Sequence, residues 1–523
     1  NLSHANLSGQ NLSGKDLTNA KLVGVDLSNK DLSKTILKGA DLSYANLSGV
    51  DLSGKDLTNA KLVGVDLSNK DLSKTILKGA DLSSTILDGV DLSGKDLTGT
   101  IFTGANISEL DLTRQDLTEV NLTGMNLDNV NLSGKNLTNA ILIGVNLSYK
   151  DLTGTILKGA DLSYANLSGV NLSGKDLTGT ILKGADLSNT NLTGVNLSGK
   201  DLTGTIFTGT DLTGTTLKEA DLSQANLTGT DLSSMDLTGI NLKYADLSNA
   251  DLSHSKLIDS QLTRSILINT DIRYADLTGA EAVGIDFTEI KDKNWDGTLF
   301  FDTTLSGSNL EGMDFSGKDL SFTWFTESKL KGADFSNDVN IQGSYFAASD
   351  LTNANFEDAN LSPKKRYSML FENLAYLAPC GEISSADCES FNGYVFGIEL
   401  TGYPTIFVTK SDVRGNDLFV EYFIFVELRE ANLTGANFAN SNLQYTGFEN
   451  AILSNADLSG ANLSGANLIG ANLSGANLSG ALIGANLSGA NLSGANLSGA
   501  NLSGAVLDGA SLDCKNHAIC END

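Results

Sequence analysis

Leucine, with a rare Phe, Ile or Ala in its place, returns at every fifth position: Leu2, Leu7, Leu12, Leu17, Leu22 and onward to Phe287. This period fits neither an α-helix, at about 3.6 residues, nor a flat strand, at about 2. It fits a chain that turns a corner every five residues, so that each Leu points to a common axis. The residue two before each Leu is often small or aliphatic, as at Ala5, Ala20, Val25, Ala40 and Ala45, and shares the interior. The residue just before the Leu is usually Asn or Asp, and the one after it Ser or Thr. These face water and line up in ladders.

Stretches such as "ADLSYANLSG" from Ala40 and "ANLSGANLSGANLSGANLSGA" from Ala485 resemble the pentapeptide-repeat family, whose consensus is A-[D/N]-L-x-x. The resemblance covers most of the chain. It implies an all-β fold, a right-handed quadrilateral β-helix. Four pentapeptides make one twenty-residue coil, and coils stack at the strand spacing of about 4.8 Å. Family members with a known activity include DNA-mimicking gyrase inhibitors, but fold alone does not choose a function.

"GKDLTNAKLVGVDLSNKDLSKTILKGADLS" runs from Gly14 to Ser43 and returns unchanged from Gly54 to Ser83, forty residues on. In a twenty-residue coil that is a copy two coils higher. The column Lys21, Asp41, Lys61, Asp81 then alternates opposite charges up one face. The column Lys15, Thr35, Lys55, Thr75, Lys95 separates its lysines by an uncharged coil, as does Lys30, Val50, Lys70, Val90. Like charges about 5 Å apart repel by roughly 1 kcal/mol even in water, so a two-coil copy avoids a penalty that a one-coil copy would incur. Duplication without selection on charge is the other account of the identity. Lys15 and Lys30 occupy the position that normally faces inward. Their stems should pack while the ammonium reaches backbone carbonyls or a neighbouring carboxylate such as Asp16. One column breaks the spacing: Asp31, Asp51, Asp71, Asp91 and Asp111 place carboxylates on one edge. Either solvent and the nearby lysines screen them, or a hard cation such as Ca²⁺ bridges them as a metal site.

The beat divides the chain into a regular solenoid over 1–287 and frame-shifted, aromatic-rich coils over 288–362. A further solenoid follows over 431–512 and a tail over 513–523. Between them, 363–430 loses the repeat. "PKKRYSMLFENLAYLAP" reads as a short amphipathic helix, and "GYVFGIEL", "PTIFVTK" and "DLFVEYFIFVELRE" read as strands. Together they form a small inserted α+β module. The short spacing of Cys380 with Cys388 in that module, and of Cys514 with Cys520 in the tail, reads as two disulfides and an oxidising compartment, with four free thiols as the alternative.

The chain carries a formal net charge of −28 over 523 residues. That disfavours nucleic acid backbones and anionic membranes as partners. No run of about 18 apolar residues marks a membrane span. The opening at Asn1, inside a repeat and without Met, reads as a processed, exported protein. His4, His254 and His517 are scattered, and no triad, phosphate loop or dinucleotide fingerprint is present. The expected class is a non-enzymatic extracellular structural protein without a cofactor. Its ends, uncapped at Leu2 and Leu7, would stack head to tail with other copies into a filament or surface sheath. Two alternatives stand beside it: a DNA-mimicking topoisomerase inhibitor, and an adhesin or glycan binder using the 363–430 module. Sequons such as Asn6-Leu7-Ser8 arise from the repeat itself and could carry glycans.

Overall fold

A computed structural model describes residues 1–92, 94–105, 116–128, 130–293, 295–361 and 426–520, and the backbone of four strands between 364 and 424. It divides into two units, Asn1–Asp251 and Leu252–Asp523.

In the first unit the outward Asn, Asp, Lys or Ile of one coil forms a parallel bridge with the residue twenty positions on. Asp16 pairs with Ile36, Lys21 with Asp41, and Asp26 with Asn46. The bonds run both ways between coils: Asp41 N–H donates to Ala20 O at 2.9 Å, and Leu22 N–H to Asp41 O at 2.7 Å. Between bridges the chain turns. Each corner is closed by an N–H onto the carbonyl three residues back, as Ala20 N–H donates to Leu17 O at 2.9 Å. The third residue of the turn has φ of 55° at Asn19 and 63° at Gly24, a conformation that admits Gly and Asn most readily and explains their spacing.

The leucines line one dry interior: Leu22, Leu27, Leu42, Leu57 and Leu62 are fully buried. Each contributes about 2 kcal/mol by leaving water. Threonines at the inward position bury their methyl and turn their hydroxyl to the neighbouring coil. Thr35 Oγ1 donates to Leu12 O and Thr75 Oγ1 to Leu52 O, each at 2.8 Å.

The second unit keeps this architecture while absorbing insertions. Lys256 bridges Asp276, twenty on, but Asp276 bridges Leu299 and Glu281 bridges Thr304, so three extra residues are taken up near Ile290–Gly297. Trp324 bridges Tyr345, which adds one more. Tyr345 then bridges Glu427, and Asn360 bridges Asn442, so one coil closes across the whole inserted segment. A residue is lost again where Asn467 bridges Asn486. Here Phe replaces Leu, and the rings stack at the coil repeat. Phe315 lies over Phe335 at 5.1 Å, Phe335 over Phe356 at 4.7 Å, and Phe356 over Phe438 at 4.7 Å. Phe325 over Phe346 forms a second column at 4.6 Å. Trp295, which takes the inward leucine position just after the three extra residues, is buried against Phe287 and Phe300.

The inserted segment contains β1 (Lys364–Phe371), β2 (Gly397–Ile398), β3 (Ile406–Arg414) and β4 (Asp417–Ile424). They form one antiparallel sheet in the order β1-β4-β3-β2. The expected helix starting at Pro363 is corrected: Lys364–Phe371 is a strand. Its partner β4 offers a long β-branched and aromatic run. Pairing from Lys364 with Ile424 to Phe371 with Leu418 outweighs a weak local helical pattern. The remainder of that expected helix, from 372, lies outside the described residues. β2, β3 and β4 overlap the three expected strand segments, but β2 covers only Gly397–Ile398 of the first, whose other residues lie outside the described ones, and β4 ends at Ile424, short of Glu430. Val426–Glu430, assigned from sequence to the insertion, belong to the coils: Val426 and Leu428 are fully buried and Glu427 is bridged. Among the described residues there is no helix, and so none long and apolar enough to cross a membrane.

Candidate functional site: the charged columns

Four columns of charge were expected, through Lys21, Lys15, Lys30 and Asp31, and the coils assemble them from residues twenty apart. Lys21, Asp41, Lys61 and Asp81 are joined in series by parallel bridges and stand directly above one another. Their side chains do not pair within the column. The Asp41 carboxylate turns into its own corner, where Oδ1 accepts from Ser43 N at 3.2 Å and from Ser43 Oγ at 2.6 Å. Asp81 does the same with Ser83, at 3.0 and 2.6 Å.

This local closure is general. The outward Asp or Asn accepts the N–H two residues on, an Asx turn that pins the corner. It holds the carboxyls of Asp16, Asp56 and Asp66 below their usual range, first through the hydroxyl of Thr or Ser and then through its N–H. Where ion pairs form between coils of the first unit, they run diagonally to a lysine eighteen residues earlier, as in Lys78–Asp96 at 3.4 Å and Lys183–Asp201 at 3.5 Å.

The inward lysines solve a different problem. Lys70 Nζ donates to Val50 O at 3.1 Å, Lys175 Nζ to Thr155 O at 3.1 Å, and Lys200 Nζ to Thr180 O at 2.9 Å. Lys95 Nζ donates to both Ser73 O and Thr75 O, at 2.6 and 2.8 Å. Lys55 reaches Leu32 O. The carbonyl twenty residues before the lysine is the one that elsewhere accepts a peptide N–H from the next coil, as Ala20 O does. The ammonium therefore takes over a backbone ladder bond. Burial lowers the pKa of Lys95, Lys175 and Lys200, and carboxylates nearby, Asp71 and Asp91 for Lys95, pull it back.

Those carboxylates belong to the Asp31 column. Asp31, Asp51, Asp71 and Asp91 carry no bridge, so the ladder is open along this edge, between the corners of Lys30 and Lys70 and those of Lys55 and Lys95. Asp111 lies outside the described residues. Asp31 is held below the usual carboxylate range by the Ser33 hydroxyl and N–H, with a contribution from Lys55. Asp71 is held in the same way by Ser73, with Lys74 and Lys95. The column thus faces ammonium groups supplied by the chain itself. Among the described residues no three His, Cys, Asp or Glu side chains converge as a metal site would require.

Sequence reasoning missed the most strongly held carboxylate. Asp271 is 2% exposed and accepts from Arg273 Nε at 2.9 Å, Arg273 Nη2 at 2.6 Å and Lys291 Nζ at 3.1 Å. The arginine fork drives its pKa far down despite burial. Lys291 stands twenty residues after Asp271, its N–H on Thr270 O at 3.1 Å, just before the three extra residues, so the cluster anchors the start of that bulge to the coil below it. The frame slip was visible in the sequence, but the pairing was not. Glu427, the first bridged residue after the inserted sheet, is pushed up to about 7 by burial; Arg429 opposes the shift and Glu449 adds to it. Arg429 itself donates to the Tyr345 hydroxyl at 3.1 Å. In the tail, Cys514 and Cys520 form a disulfide. Cys380 and Cys388 lie outside the described residues.

The sequence model of pentapeptide repeats, described as eight copies, matches overlapping segments from 1–39 to 245–281, then 299–337, 338–362, 422–460, 446–480 and 482–513. The chain is a pentapeptide-repeat protein. Its twenty-residue coils are those of the family's right-handed quadrilateral β-helix. Among solved structures it is similar to HetL, a pentapeptide repeat protein involved in heterocyst differentiation regulation from the cyanobacterium Nostoc sp. strain PCC 7120. The identity is 22% over 57% of this chain and 90% of that one, with a TM-score of 0.22. It is also similar to Rfr23 from the cyanobacterium Cyanothece 51142, at 30% identity over 32% of this chain and 89% of that one, TM-score 0.17. A third is a trypsin-treated variant of QnrB1, a plasmid-mediated fluoroquinolone resistance protein, at 20% identity over 34% and 87%, TM-score 0.26. Curated protein sequences give no match. Membership of the pentapeptide-repeat family rests on the repeat itself.

Proposed function

We propose that this pentapeptide-repeat protein is a non-enzymatic structural protein that works outside the cell and self-assembles end to end into a filament or sheath. The observation that carries the reading is where its reactive groups are engaged. Carboxylates close Asx turns, inward hydroxyls bond interior carbonyls, and buried ammonium groups replace ladder bonds. The polar chemistry of the coils serves their own construction. Each coil is joined to the next by the same kinds of bonds, the property that lets a solenoid extend by adding a like unit. The Cys514–Cys520 disulfide supports an oxidising, extracellular setting. Negative-stain microscopy of native material tests this: fibres are expected, and a protein that stays monomeric under oxidising, calcium-containing conditions refutes it.

A second reading follows from the open acidic edge of Asp31, Asp51, Asp71 and Asp91 together with the net charge of −28. Such a surface suits a mimic of the DNA backbone acting on a topoisomerase. A supercoiling assay with purified gyrase decides it: inhibition supports the mimic, and unchanged supercoiling removes it.

A further inference from the structure

The face carrying Lys21, Asp41, Lys61 and Asp81 shows alternating charge that the chain does not use on itself. Lys21 and Lys61 are exposed, and neither ammonium has an ion-pair or hydrogen-bond partner among the described residues. Asp41 and Asp81 commit Oδ1 to Ser43 and Ser83 and leave Oδ2 free. The pattern is bounded: the next residue up the column is Ile101, bridged to Asp81, and the residue twenty below Lys21 is Asn1, whose side chain is uncharged.

We propose that this face binds the same face of a second copy of the chain, laid antiparallel across a two-fold axis between the coils of Asp41 and Lys61. That operation places Lys21 opposite the second copy's Asp81 and Asp41 opposite its Lys61, with the reciprocal pairs completed by symmetry, so all four charges are matched. The flanking corners agree. On one corner Lys38 and Lys78 face the second copy's Thr58 and Thr18; on the other, the Tyr44 ring of each copy lies over its own Gly64. A parallel arrangement in the same register sets Lys on Lys and Asp on Asp and is repelled. Sliding by one coil in the antiparallel arrangement also opposes like charges; a two-coil slide keeps two of the four matched contacts and a parallel arrangement slid by one coil keeps three, so the two-fold register carries the most. The identical letters from Gly14 to Ser43 and from Gly54 to Ser83 are then the repeat of a self-complementary face, a purpose that stacking within one chain does not require.

The inference rests on the reading of the chain as a self-assembling structural protein and gives it a lateral contact. The test is sedimentation velocity of the full chain over a concentration series, at low and high salt. Wild type should pair at low salt and dissociate as salt screens the face. Lys61→Asp alone and Asp41→Lys alone each turn two matched contacts into like-charge contacts and should weaken pairing about tenfold or more. The double variant Asp41→Lys/Lys61→Asp should restore it. Every swap places a residue that an adjacent coil already carries at the same position, so circular dichroism should be unchanged. If both single variants associate as tightly as wild type, self-assembly stands but this face is not the contact. If wild type does not associate at all, the lateral contact and the self-assembly reading fall together.

Discussion

Phe335 gives the aromatic core a quantitative test. It is fully buried, stacked on Phe315 at 5.1 Å and on Phe356 at 4.7 Å, and meets Phe346 edge-on at 5.5 Å. Phe335→Ala removes the ring and leaves a cavity in a shaft whose coils are tied above and below, so little collapse is available. A buried Phe→Ala change costs about 3–5 kcal/mol, and the two lost stacks place it toward the upper figure. Phe335→Leu is the sharper probe. Leucine is the residue that the five-residue beat supplies elsewhere and fills most of the volume, so it isolates the stacking: a loss of about 1–2 kcal/mol is expected. The assay is urea unfolding followed by the fluorescence of Trp295, which lies 5.7 Å from the Phe315 ring. A Phe335→Leu protein as stable as wild type, or more so, would refute the claim that the stacked rings, and not mere bulk, stabilise these coils.

Two further outcomes follow from the charged groups. Asp271 has a folded-state pKa well below its ordinary 3.8, so its contribution is complete above pH 3.8 and is lost as pH falls below that value. Asp271→Asn should therefore lower the melting temperature at neutral pH and flatten its decline as pH falls below 3.8; an unchanged acid profile would contradict the assignment. Lys95→Met keeps the buried stem but leaves Ser73 O and Thr75 O without their donor, which should cost about 1–3 kcal/mol in a urea titration.

The shaft was legible because its signal is redundant. Leu22, Leu42 and Leu62 repeat one instruction, and a single period accounts for their burial, the bridges at Lys21 and Asp41, and the corners between them. The reach of the inward lysines was legible only as a choice between a carbonyl and a neighbouring carboxylate such as Asp16: Lys55, Lys70 and Lys95 take the carbonyl, whereas Lys15 itself is exposed. That Lys95 replaces a ladder bond was not legible, because local sequence does not show which carbonyl lacks its N–H. Asp271 was hidden among dozens of outward aspartates. What distinguishes it is Arg273 on its own coil and Lys291 twenty residues on, both drawn to one buried carboxylate. Lys364–Phe371 was misread for a related reason: its strand conformation is set by β4, which follows only after β2 and β3 in the chain. The alternating charges of the Lys21–Asp81 column are not paired with one another; Asp41 and Asp81 instead turn Oδ1 into their own corners, onto Ser43 and Ser83.

The account depends on residues twenty apart lying one coil above another. Cysteines introduced by Lys21→Cys and Asp41→Cys test it directly. Their Cα atoms should stand about 4.8 Å apart, within disulfide reach. In Lys21→Cys/Asp31→Cys the two positions lie half a coil apart on opposite faces. Mass spectrometry after mild oxidation should find the crosslink between positions 21 and 41 and none between 21 and 31. The reverse result would contradict the stacked twenty-residue coil.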